Sequence, residues 1–213
     1  MVLLAGCGGG DEITRAHGDG GAAGPAQATA SPVTGAALSA VLSEKQVAGA
    51  LPEGAAVSGL KNGMRSAIPA RDPGTGACVA GEDEALCAGA VTTGASVFVT
   101  RGEANVNFAL TAYRDRKAAA AAYALVLKRD QADRAQRDVA LGAVGERRHG
   151  RLGTFGTTGD PHARATVLVG TTVLSIDAFG KAKYVSGERL AAYATMFVER
   201  SEQALQQAAE AGP

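Results

Sequence analysis

The sequence predicts an α+β fold: an antiparallel sheet backed by helices, in the rough order α-β-β-α-β-β-α, behind a disordered N-terminal tether. Three observations carry this. Residues 104–113 alternate apolar and polar side chains with period two. Residues 163–179 hold two β-branched runs around Gly170-Thr171. Residues 116–134 and 186–211 are rich in helix formers. The chain has 213 residues, 46% of them hydrophobic, which suits one domain plus a tail or at most two small domains. All five Phe and four Tyr lie between Phe98 and Phe197, so the second half builds most of the core.

Leu38, Leu42, Val47 and Leu51 recur at near-helical spacing over 38–51. Ser43 followed by Gln46 fits a capping box, and Pro52 and Gly54 stop the helix. A short strand is expected at 55–60, and another at 95–100. Over 104–113, Val106, Phe108, Leu110 and Ala112 face one way, while Asn105, Asn107, Ala109 and Thr111 face the other. Arg101-Gly102-Glu103 makes the turn between these last two strands. Asp115 caps the helix over 116–134, whose buried stripe is Ala119, Tyr123, Val126 and Leu127. Val139–Val144 is expected as a strand. Gly170 opens a tight hairpin, and Gly180 ends its second strand. The last helix, 186–211, lines Leu190, Tyr193, Ala194, Phe197, Leu205 and Ala208 along one face.

Residues 8–37 are Gly and Ala at 16 of 30 positions, with no apolar period. Such a stretch cannot offset its ordering entropy by burial, so it reads as a flexible linker. Ahead of it stands Leu4-Ala5-Gly6-Cys7, which resembles the lipobox of bacterial lipoproteins. The resemblance implies cleavage before Cys7 and acylation of its sulfur, hence a membrane partner through a lipid anchor. Only six residues precede Cys7, so the expectation includes a start further upstream or a shortened form. Three segments follow: 1–7 as a signal remnant, 8–37 as linker, and 38–213 as a single extracytoplasmic α+β domain.

With Cys7 acylated, Cys78 and Cys87 remain as an even pair in an oxidising compartment. A bridge between them closes a loop of about ten residues, contributing roughly 2–3 kcal/mol in the chain-entropy model. A metal site and a redox pair are the rivals. The Cys-x₈-Cys spacing lacks the closeness of zinc knuckles and of redox CxxC motifs.

The lipobox and Gly-rich tether are followed by LTAYRDRKAAAAAYALVLKR, then GAVGERR and ARATVLVGTTVLSIDA, then the terminal helix. This arrangement resembles the small extracytoplasmic lipoproteins of actinobacteria. Over roughly 38–210 it is similar to the extracellular sensor-like domain of some actinobacterial serine/threonine kinases. The resemblance implies an antiparallel sheet flanked by helices, a ligand cleft and no catalytic residues. Those domains carry more disulfides than the one internal pair available here.

Lys and Arg total 21 against 21 Asp and Glu, which gives no electrostatic reason to expect nucleic acid. No metal site or cofactor motif is recognised. There is no G-x-S-x-G or H-E-x-x-H, and Gly153–Gly159 lacks the Lys-Ser/Thr ending of a phosphate loop. His149 and His162 fall in loop-like surroundings, with Asp160 two positions before His162. The densest charge cluster, Glu146–Arg151, reads as a solvated loop. Its functional reading makes Arg147, Arg148 and Arg151 contacts for an anion such as a lipid headgroup or wall polymer. The leading expectation is a membrane-anchored, extracytoplasmic, non-catalytic module that binds a small or lipidic ligand. A cell-envelope hydrolase is one alternative; a structural or adaptor lipoprotein binding other envelope proteins is another.

Overall fold

The computed structural model describes residue 35, residues 37–70 apart from 55 and 58, and residues 84–212 apart from 133, 134 and 156–158. Cys7, the linker up to residue 34, and Cys78 lie outside the described residues.

Among the described residues, seven strands form one antiparallel sheet in the order β1-β2-β3-β7-β6-β5-β4. They are β1 (Lys61–Pro69), β2 (Ala90–Thr100), β3 (Ala104–Tyr113), β4 (Arg137–Asp138), β5 (Arg147–Phe155), β6 (Asp160–Val169) and β7 (Thr172–Gly180). The helices are α1 (Glu44–Ala50), α2 (Glu84–Cys87), α3 (Arg116–Ala132) and α4 (Gly187–Ala211), and a 3-10 turn spans Ala37–Ser39. The α+β class and the sheet backed by helices are as the sequence predicts.

Both faces of the sheet are used. Val106, Phe108 and Leu110 of β3 point towards α1 and α4, in the larger core. Phe108 is its centre, meeting Phe98, Tyr193 and Phe197 edge-to-face at 5.8, 5.9 and 5.4 Å between ring centroids. The opposite face carries α2 and α3 over a smaller core of Leu86, Tyr113, Ala119, Ala122, Tyr123, Leu168 and Val173. Burial pushes the Tyr113 phenol up to about 12, and its hydroxyl donates to the Leu86 carbonyl at 2.9 Å.

The short α1 is held from both sides. The Ser43 amide donates to Gln46 Oε1 at 2.8 Å at its start. At its end Arg200 of α4 donates to the carbonyls of Gly49, Ala50 and Leu51 at 2.9, 3.1 and 3.0 Å. Seven residues would be marginal alone; a guanidinium on the orphan C-terminal carbonyls supplies what propensity does not. Gly94 of β2 lets α1 approach the sheet: a Cβ there would lie 2.8 Å from Val47 Cγ1 and 3.0 Å from Leu51 Cδ1.

Several expected boundaries move. The helix of 38–51 starts at Glu44, with Leu38 in the preceding 3-10 turn. The strand expected at 55–60 lies at 61–69. That strand is an edge with a bulge between Asn62 and Met64, so its sequence lacks the alternation of an inner strand. Val139–Val144 is not a strand. It folds under the sheet edge, where Leu141 and Val144 join the main core and Leu141 occupies the space above Gly150. The charged run read as a loop is strand β5, which pairs with β6 from Arg147 to Phe155. His149 and His162 therefore sit in strands rather than loops. The turn at Gly170 is as expected, with φ of +57°.

Candidate functional site

Antiparallel pairing aligns side chains across the face that carries α3. One cross-strand row runs Val97, Asn107, Asp177, Arg164, Arg151; the next runs Ala95, Ala109, Ser175, Thr166, His149. Helix α3 packs over β3, β7 and β6, and among the described residues the β1–β2 end of this face is left uncovered by it. There Met64 and Ile68 are 54% and 47% exposed.

Between α3 and that open end lies a groove of about 520 Å³. Its floor is Ala95, Val97, Asn107, Ala109, Ser175, Asp177, Thr166 and Arg164, and its wall is Val126, Arg129 and Asp130 of α3. Small residues at 95 and 109 make the depth. Polar residues occupy the inward positions of β3, β6 and β7 where α3 no longer covers them.

The charges in the floor are interlocked. Arg164 Nε donates to Asp177 Oδ2 at 3.0 Å, and Arg164 Nη1 lies 3.9 Å from Asp130 Oδ1. His162 Nε2 lies 3.1 Å from Asp177 Oδ1. Burial opposes ionisation of Asp177, but the hydrogen bond and charge of His162, with Arg164, outweigh it and hold the carboxyl below the usual range. Burial wins at Asp130, whose pKa is raised against the pull of Arg164, His149 and Arg151. The buried Nε2 of His149 has no hydrogen-bond partner among the described residues. Such a floor offers donors and acceptors side by side, next to the apolar Val126 and the charged Arg129 and Asp130 of α3, which suits holding a small polar molecule.

The structure divides the three arginines singled out in the sequence. Arg147 extends over the Tyr123 ring, 4.9 Å from its centroid. Arg148 points to the other side of β5, beside a shallow dent lined by Asp138, Leu141 and Gly142. Arg151 is buried and ties down the chain after α3: Nη1 donates to the Asp130 carbonyl at 3.0 Å, Nη2 to the Gln136 carbonyl, and Nε lies 3.3 Å from Asp138 Oδ1. Strand alternation explains the split, since neighbours in a strand face opposite ways. Cys87 closes α2 beneath α3; Cys78 is outside the described residues.

Sequence reasoning missed Asn107, Asp177, Asp130 and Arg129 as groove residues. The available signal was an amide or carboxylate at a half-buried position on the second face of otherwise apolar strands, Asn107 in β3 and Asp177 in β7.

No protein-family model and no curated protein matches the chain. Among solved structures it is similar to the extracellular domain of PknH from Mycobacterium tuberculosis, with a TM-score of 0.57 and 14% identity, over 76% of this chain and 98% of that one. At that identity the likeness is one of fold: the overall arrangement of sheet and helices is similar to that of this extracellular domain.

Proposed function

We propose that this protein is an extracytoplasmic, non-catalytic binding module, tethered to the membrane by an acylated Cys7, that holds a small or lipidic ligand in the groove beside α3. The groove itself carries the reading. It is open, about 520 Å³, and lined by charged groups already neutralised by one another, an arrangement for recognition rather than bond breaking. The fold shared with the extracellular domain of PknH supports the location outside the cytosol. A Cys78–Cys87 disulfide belongs to the same reading, closing a short loop that ends at the last residue of α2 in an oxidising compartment.

Native mass spectrometry of the chain purified from its host tests the ligand. The expected spectrum shows a non-covalent adduct, lost on Ala109→Trp, which fills the groove floor between Ala95 and Ser175. A bare wild-type mass from gently released material contradicts the reading.

One observation favours a second reading, a cell-envelope hydrolase. His162 and Asp177 form a His–Asp pair at the groove. Against it, the imidazole is only 4% exposed, and the Nε2 that a nucleophile would need is turned to the carboxylate. Turnover on an esterase, phosphatase or peptidase panel, abolished by His162→Ala, would establish the hydrolase instead.

A further inference from the structure

We propose that the outer side of α3 and its flanks form a docking surface for anionic lipid headgroups, which lays the tethered body on the membrane with its α3 face down. The inference rests on the extracytoplasmic, anchored reading above and adds an orientation to it.

The chain is neutral as a whole, but α3 and its flanks carry more exposed cations than acids. On the α3 side, Arg114, Arg116, Lys117, Lys128, Arg129 and Arg147 are all exposed. Against these six stand Asp115, Glu146 and Asp138, the last beside Arg151 on this face, with Glu84 opening α2. Asp130, the remaining acid of α3, is buried and faces Arg164. Helix α4, packed on the other face of the sheet, has the opposite balance, with four glutamates against two arginines. A neutral protein with one basic face is oriented by a negatively charged plane without being bound indiscriminately.

The chain path points the same way. Residues 37–40 lead into the fold against the β6–β7 turn, where Thr171 Oγ1 donates to the Ala40 carbonyl. The same turn holds the basic cluster: the Gly170 amide donates to Glu146 Oε1 at 2.7 Å, and Glu146 pairs with Arg116. The Thr171 carbonyl accepts from the Tyr113 amide at 2.8 Å, immediately before Arg114. The described chain therefore enters at a turn that lies between α4, on which the 3-10 turn packs, and the Arg116–Glu146 pair.

The test uses the full chain with Cys7→Ala, made without acylation, sedimented with vesicles of phosphatidylcholine alone or with equal parts of phosphatidylglycerol. The expected result is binding at least about tenfold stronger to the anionic vesicles, lost at about 1 M salt, where the Debye length is about 3 Å. Lys117→Glu combined with Lys128→Glu, both exposed, abolishes the preference while circular dichroism stays unchanged; Arg189→Glu on α4 leaves it intact. Equal binding to both vesicle types, absence of binding to either, or a preference that survives the double reversal overturns the proposal. No acyl chain is present in this assay, so a failure of Cys7 acylation in the host leaves its result untouched.

Discussion

His162 and Asp177 meet across the β6–β7 pair with Nε2 and Oδ1 3.1 Å apart. Because the carboxylate is held ionised, Nε2 carries the proton and donates, which fixes the imidazole tautomer and satisfies a ring that is otherwise out of water. The second oxygen of Asp177 accepts from Arg164. One side chain thus holds both the imidazole of His162 and the guanidinium of Arg164.

Asp177→Asn removes that centre. The amide keeps the shape but loses the charge that pairs both partners. A cost of about 1–3 kcal/mol is expected, since Asp177 and Arg164 are partly exposed while His162 is buried. The pH dependence has a definite sign. A carboxyl with lowered native pKa contributes stability that is full above its ordinary pKa and is lost as pH falls through the native value. Urea unfolding from neutral to acid pH should show a steeper loss in the wild type than in the variant.

Arg151→Ala and Arg148→Ala should behave very differently, although the residues lie three apart in one charged run. Arg151 is buried and holds the Asp130 and Gln136 carbonyls, so its loss should cost about 3 kcal/mol and raise amide exchange over 130–138. Arg148 is exposed, so its loss should stay within about 0.5 kcal/mol. Thermal melts with hydrogen-exchange mass spectrometry read both.

Gly94→Ala is expected to destabilise by about 1–3 kcal/mol despite adding only a methyl group, because α1 sits directly over it and the Ser66 carbonyl lies 3.0 Å from the added carbon. Paired with Val47→Ala, which vacates the 2.8 Å contact, the double variant should lose less than the sum of the singles. Chemical denaturation of the four proteins in the cycle measures this.

Glu103 offers a second titration. The Lys183 ammonium, then the Lys181 ammonium, then the Tyr184 hydroxyl bond its carboxylate and hold its pKa at about 2. Lys183→Ala should move that value upwards, towards the ordinary 4.5, in a carboxyl-detected NMR titration. The cluster's contribution to stability is present above the ordinary pKa and disappears as pH falls towards about 2.

The inner part of the sheet was legible in the sequence because burial on one face imposes alternation. Val106, Phe108 and Leu110 state it in β3, and the Gly170 turn between β6 and β7 needs a positive φ that Gly supplies at no cost. The edges were not legible. Lys61–Pro69 is an edge strand, and Arg147–Phe155 is flanked on its outer side only by the two-residue β4 at Arg151 and Leu152; both are rich in Gly, Arg and polar residues, since strands at or next to an edge keep part of their surface in water and exclude further pairing with charge and bulges. Leu141 and Val144 looked like a strand because they are core residues, yet they reach the core from a loop. The groove was hidden for a related reason: Asn107, Arg164 and Asp177 lie far apart in sequence and become neighbours only when the register of three strands is known.

The reading of a tethered extracytoplasmic module is tested most directly by the intact mass and fractionation of the mature protein from its own host. The expected product begins at Cys7, carries acyl mass on it, and sediments with membranes, while Cys7→Ala is released to the soluble fraction. A cytosolic product with an unmodified Cys7 and the preceding residues still attached would contradict it.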